Sequence, residues 1–274
     1  MYEEFYGLRE KPFQNTPDPK FMYYSKEHEE ALSRLIYTIE EQMGAAMLTG
    51  IFGCGKTMIA QALMENLANR GDSKVAYISN PQLSDVELLR MVAYYLGAQD
   101  LPQKKSEILK DYILERVEEI LHNNYDDGKN TILIIDEAHV ITEKVIFEEL
   151  RLLLNFQLKE KFLLTLILSG QPELKKNVDN VKQLAQRIAL RAHVDKLSED
   201  DTRSYIKHRL KVAGQERMLF ATDALGLIHA RSGGIPRRIN NICEIALFTG
   251  FGKGVDTVNG EIIEEVTKDL EAQS

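Results

Sequence analysis

Residues 50–57 read Gly-Ile-Phe-Gly-Cys-Gly-Lys-Thr, between an apolar run, Ala45–Thr49, and a helical one, Met58–Met64. That order of strand, glycine-rich turn and helix constrains the fold more than any other stretch of the chain. The glycines let successive backbone N–H groups turn toward one anion, and the helix that follows adds the positive end of its dipole. The expected cradle for a nucleotide is Gly50, Gly53, Cys54, Gly55, Lys56, Thr57 and Met58. Within it Lys56 would reach the β- and γ-phosphates, and Thr57 would place its hydroxyl on Mg²⁺.

A second segment agrees with this. Thr131–Ile135 is a continuous apolar run, as a parallel strand buried on both faces requires, and it ends in Asp136 and Glu137. Asp136 would share the metal with Thr57. Glu137 is better placed to polarise an attacking water, because a base must stand off the metal by about one water's width. This order of carboxylates, with an added strand at Lys74–Ile78, points to the nucleotide hydrolases in which the catalytic carboxylate follows the metal-binding one.

With 274 residues, 44% of them hydrophobic, the chain can bury one large core or two modest ones. Its apolar runs are too short to span a bilayer, and the N-terminus lacks the basic and apolar regions of a signal peptide, so a cytoplasmic location is expected. Two cysteines, Cys54 and Cys243, do not make a disulfide framework. An alkylating reagent at Cys54 is expected to block nucleotide binding. A net charge of −8 excludes a uniformly basic nucleic-acid surface, though not a local stripe.

Prolines 12, 17 and 19 among Phe5, Phe13, Phe21, Tyr23 and Tyr24 suggest an extended aromatic arm over residues 1–24 that packs on the core or flanks the adenine, packing being favoured. Ser25 then starts a helix with Ala31, Leu32, Leu35, Ile36 and Ile39 on one face. A further helical stripe runs from Ile108 to Leu121, followed by a polar loop over residues 123–130. A helix near Phe147–Leu158 and strands at Leu163–Leu168 and Ala192–Leu197 would complete a five-stranded sheet. From Ser198 the pattern is helical only, which sets an α/β domain at 25–197 and a helical lid at 198–274.

A triphosphate site also needs groups that sense charge. Gln171, with Ser169 as the alternative, sits at the tip of the strand beside the acidic one. Arg187 and Arg191 precede the last strand; on a helix they would share a face and suit an arginine finger reaching a neighbouring subunit. Pro236 at a helix start could aim Arg237 at the γ-phosphate, coupling lid angle to nucleotide state, while Arg238 is read as structural. The six histidines, His139 included, lack metal-ligand spacing and are given no chemical role.

With both nucleotide motifs, Ser-Gly-Gln-Pro-Glu-Leu at 169–174, Gln-Arg-Ile at 186–188 and Gly-Ile-Pro-Arg-Arg-Ile-Asn at 234–240, the chain resembles the AAA+ ATPases of the ExeA type, also called general secretion pathway protein A. The N-terminal Phe5-Tyr6-Gly7-Leu8 and Pro12-Phe13 belong to the same likeness. It implies a three-layer P-loop NTPase core with a five-stranded parallel sheet and a helical lid, ATP and Mg²⁺, and a homo-oligomeric ring or filament. On that analogy Gln171 is the first sensor, Arg187 the finger and Arg237 the second sensor. Secretion members typically continue into a membrane span, which this chain lacks, so a separate membrane or envelope partner is implied. The likeness extends to ATPases that act with DNA and a transposase, for which Lys207, Arg209 and Lys211 would be the phosphate contacts.

Overall fold

The computed structural model describes residues 1–99, 101–102, 109–158 and 161–272. In chain order the elements are α1 (Tyr2–Phe5), a 3₁₀ turn (Pro19–Phe21), α2 (Lys26–Glu40), β1 (Ala45–Gly50), α3 (Lys56–Arg70), β2 (Ser73–Ile78) and α4 (Asp85–Leu96). They continue with α5 (Lys110–Asp126), β3 (Asn130–Ile135), a 3₁₀ turn (Ala138–Val140), α6 (Lys144–Leu153), β4 (Gln157–Leu158), β5 (Lys161–Phe162) and β6 (Leu164–Gly170). Then come α7 (Glu173–Asp179), α8 (Lys182–Ala185), β7 (Ile188–Val194), α9 (Glu199–Val212), α10 (Thr222–Ser232), α11 (Pro236–Gly252) and α12 (Gly260–Ala272).

The chain divides into two compact units, each with its own core: one of Glu27–Ile51 and Ile59–Val194, the other of Met1–Lys26, Phe52–Met58 and Asp195–Ser274. The first holds a five-stranded sheet in the order β2-β3-β6-β1-β7, with every pairing parallel. Successive strand side chains point to opposite faces. Ala45, Met47, Leu133, Ile135, Leu166 and Leu168 join α4–α8 in one core cluster, while the alternate Ala46, Leu48, Ile132, Ile134 and Ile167 are equally buried. Both faces are therefore covered, the three-layer α/β fold of P-loop NTPases, with a helical C-terminal region.

The second unit packs α9–α12 around Ile206, Leu210, Ile228, Ile239, Leu247 and Ile263, together with Tyr2, Tyr6, Phe13 and Phe21 from the N-terminal segment. That segment is not a plain extended arm: it carries α1 and a 3₁₀ turn, and Tyr2, Tyr6, Phe13 and Phe21 belong to the helical core, while Phe5 and Tyr24 are exposed. Tyr2 donates to Glu244 at 2.6 Å, and Tyr6 to the Val255 carbonyl at 3.0 Å. Arg209, buried on α9, donates to the carbonyls of Pro12 at 2.5 Å and Gln14 at 3.1 Å. It also donates to the Tyr205 hydroxyl at 2.7 Å and stacks 4.8 Å from the Phe21 ring centroid. The expected phosphate-contacting trio on α9 thus loses its central member to the protein's own backbone, leaving exposed Lys207 and Lys211.

Other expectations need correction. The polar run 123–130 is helical to Asp126, because Asn124 is buried and donates to Thr131 Oγ1 at 3.0 Å. Ile108 lies outside the described residues. The helix expected to Leu158 stops at Leu153: Leu154 and Asn155 turn back onto the carbonyls of Arg151 and Leu152, and the β4–β5 hairpin follows. β7 runs over 188–194 instead of 192–197, paired with β1 from Ala45↔Ile188 to Gly50↔Val194. Arg191 is therefore a strand residue and Arg187 lies just before the strand, so they share no helix face. Among the described residues, no helix is long and apolar enough to cross a membrane.

Candidate active site

In the sheet unit, β1, β6 and β3 lie side by side, so the turn after Gly50, the tip Ser169–Gln171 and the pair Asp136–Glu137 leave the same carboxyl edge, where open α/β sheets bind ligands. Asp136 is 2% exposed and held from several directions. Its backbone N–H donates to Ile78 O at 2.8 Å, continuing the ladder onto β2. Oδ1 accepts from Ser169 Oγ at 2.7 Å and from the Glu137 N–H at 3.0 Å; Oδ2 accepts from the Tyr77 hydroxyl at 3.1 Å. Burial, then the Asp136 charge, push the Tyr77 phenol well above its ordinary range, so it stays a donor. Ser169, the alternative sensor, is occupied in orienting Asp136.

Glu137 has φ 52° and ψ 27°, left-handed for a residue with a Cβ, at a cost on the order of 1–2 kcal/mol. This turns the chain into the Ala138–Val140 3₁₀ turn and leaves the Glu137 side chain about one-third exposed, its Oε2 3.5 Å from His139 Nδ1. Gln171 Nε2 lies 2.9 Å from His139 Nε2. The close approach depends on Gly170, where a Cβ would meet His139 N at 3.0 Å and Leu174 Cδ2 at 3.1 Å. Asn177 Nδ2 fixes the turn from α7, donating to the carbonyls of His139 at 3.3 Å and Ile141 at 3.2 Å.

The loop residues 52–58 belong to the helical unit's contacts. Gly53 and Gly55 have φ of 83° and 95°, the curl that a backbone anion nest needs, and α3 starts at Lys56. Lys56 is 4% exposed and Cys54 fully buried. The Arg237 N–H donates to Gly53 O at 3.3 Å, and its guanidinium carbon lies 4.8 Å from the Phe52 ring centroid. A Cβ at Gly53 would sit 3.0 Å from Arg237 Cβ and 3.1 Å from Ile235 Cγ2. Gly53→Ala is therefore expected to lower stability by about 1–2 kcal/mol through the left-handed backbone alone, read as a lower melting temperature.

Arg187 folds against its own unit: Nη2 donates to Asn155 Oδ1 at 2.6 Å, and the guanidinium carbon lies 5.9 Å from the Phe162 centroid. Burial, then Arg151, push its pKa down. Arg191 pairs with Asp179 at 2.9 Å.

Among the described residues, no three His, Cys, Asp or Glu side chains gather as a protein-made metal cage. A single carboxylate such as Asp136 suits Mg²⁺, which takes most of its ligands from phosphate oxygens and water. The glycine nest opening α3 suits phosphate in the same way.

The family model described as "AAA domain" matches residues 39–178, just over half the chain. The chain belongs to the AAA domain family. This AAA domain is 39% identical over 265 residues to General secretion pathway protein A of Aeromonas hydrophila, covering 96% of this chain and 47% of that protein. The chain thus spans about half the length of that relative. Among solved structures, the AAA fold here is similar to the Aeropyrum pernix ORC2 protein in its ADPNP–ADP complexes, with TM-score 0.74 and 16% identity over 98% of this chain and 74% of that one. It is also similar to Cdc6p of Pyrobaculum aerophilum, with TM-score 0.73 and 17% identity over 94% and 70%.

Sequence reasoning missed Tyr77, Asn177 and His139. Tyr77 was legible only as a strand residue, and its side of the sheet follows from the β2–β3 register. Asn177 and His139 gain meaning from packing between α7 and the turn after β3, which no spacing reveals.

Proposed function

We infer that the protein is an ATP hydrolase that works with Mg²⁺ and drives changes in a partner complex. The observation that carries this reading is the Asp136–Glu137 pair, the first locked by Tyr77 and Ser169 and the second held apart in a strained backbone, at the sheet edge from which the glycine loop departs. Two neighbouring carboxylates in such different surroundings suit two roles. The loop N–H groups and Lys56 would grip the triphosphate, and Thr57 and Asp136 would hold the metal. Mg²⁺ would neutralise charge on the phosphate oxygens. Glu137 would take the proton of the attacking water, and Gln171 and Arg237 would contact the terminal phosphate.

The finer reading is a homo-oligomer acting on a secretion or envelope assembly; the name of the Aeromonas relative, General secretion pathway protein A, supports the secretion part of it. Arg187 would serve as the finger only after releasing Asn155. Calorimetry with ATP and Mg²⁺ tests the grip: Lys56→Ala is expected to lose about 2–3 kcal/mol, roughly 30–150-fold in affinity. No heat of binding by the wild-type protein would overturn the reading. Turnover with and without duplex DNA, across salt concentrations, separates the errands. Stimulation by DNA with salt-sensitive binding would favour a transposition-type regulator over the envelope role.

A further inference from the structure

His139 stands between the two residues to which the reading above gives the water and the terminal phosphate. Its Nε2 is 2.9 Å from Gln171 Nε2, and its Nδ1 is 3.5 Å from Glu137 Oε2. An amide nitrogen can only donate, so Nε2 of the imidazole is the acceptor and the neutral ring carries its proton on Nδ1. That Nδ1 is buried without a hydrogen-bond partner, the Glu137 carboxylate lying just beyond bonding reach. A buried donor without a partner is unfavourable, and the nearest acceptor that could satisfy it is the Glu137 carboxylate. The backbone that carries the ring is held: Asn177 donates to the His139 carbonyl at 3.3 Å, and Gly170 admits the turn against β6.

We propose that His139 is a positioning residue whose imidazole ties the Glu137 carboxylate to the Gln171 amide, so that displacement of Gln171 reorients Glu137. The ring takes up no proton during turnover; it transmits orientation by exchanging one hydrogen-bond partner on each side. Because the link rests on the ATPase reading of Glu137 and Gln171, its test has an arm independent of turnover.

Three variants test it. His139→Ala removes both contacts and lowers kcat about 10–100-fold, with KM for ATP within about twofold. His139→Asn keeps an amide N–H near the place of Nδ1 but has no acceptor where Nε2 was, so Gln171 stays unlinked and kcat remains at least about fivefold below the wild type; full recovery of kcat would overturn the proposal. In a Gln171→Ala background, His139→Ala lowers kcat by less than about twofold further, because the tie is already cut. Effects that multiply across the two sites, or a rise in KM matching the fall in kcat, would overturn the proposal. Melting temperature and ATP binding of each variant report whether it folds. Independently of activity, ¹⁵N spectra of the wild type at about pH 8, above the ordinary imidazole range, show His139 protonated on Nδ1, and Gln171→Ala shifts the tautomer balance. A ring protonated on Nε2 in the wild type, or a spectrum unchanged by Gln171→Ala, sinks the tie even if the protein proves inactive toward ATP.

Discussion

Glu137→Gln is expected to bind ATP within about threefold of the wild type while turning it over about 10²–10⁴-fold more slowly, the range lost when a positioned general base is removed. The side chain keeps its length and its planar head, but the amide oxygen cannot take a proton from water at neutral pH. What makes the prediction specific is the separation of the two carboxylates. Asp136 is held by Ser169, Tyr77 and the Glu137 backbone N–H, none of which uses the Glu137 side chain. The metal-binding carboxylate therefore keeps its orientation in the variant, and loss of rate is not accompanied by loss of affinity. Single-turnover hydrolysis beside calorimetry measures both. Equal rates for variant and wild type would remove Glu137 from the chemistry, and a matched loss of affinity would mean that the two acids are not independent.

How far the sequence alone reaches follows from which forces shaped each element. β1 and β3 are buried on both faces, so selection for apolar side chains left unbroken runs, and the glycines of the loop mark the turn between β1 and α3. The phosphate and metal residues were legible for that reason. β7 is an edge strand with exposed Ala189 and the charged Arg191 in its first half, which broke the apolar run there and hid those residues. The β4–β5 hairpin is too short to show a period. His139 had no readable signal, because its neighbours come from β6 and from its own turn, and only a parallel register brings Gln171 beside it. The aromatic arm was read in part: packing was favoured, but its short helix and 3₁₀ turn were not foreseen. Its prolines speak against long helices, which is correct, but they say nothing of where the rings go, and the rings complete a core the helices cannot close alone.

Arg209→Ala is the harsher test of that last point. The side chain is 6% exposed and has no carboxylate partner among its described contacts; its charge is balanced by the carbonyls of Pro12 and Gln14, the Tyr205 hydroxyl and the ring of Phe21. Removing it leaves the buried Pro12 carbonyl without its donor beside a void and frees the more exposed Gln14 carbonyl, at about 1–3 kcal/mol for a buried orphaned group plus the lost packing, so the helical unit is expected to lose about 2–4 kcal/mol. Tyr205 also donates to Asn240 at 2.7 Å, and Asn240 donates to Asn15 at 3.1 Å, so the loss spreads along the same segment of the arm. Arg209→Lys keeps the charge without the planar fork and recovers only part of the loss. Hydrogen exchange resolves the effect by element: amides of residues 12–22 and of α9 and α11 are expected to lose protection together, while β1, β3 and β6 keep theirs. A change below about 1 kcal/mol would mean that the arm is held by its rings and not by the guanidinium. If a DNA-binding role for α9 held, the same variant would weaken binding to phosphates without unfolding the arm. The burial of Arg209 argues for the opposite order, with the arm released first and any loss of ligand contact following from it.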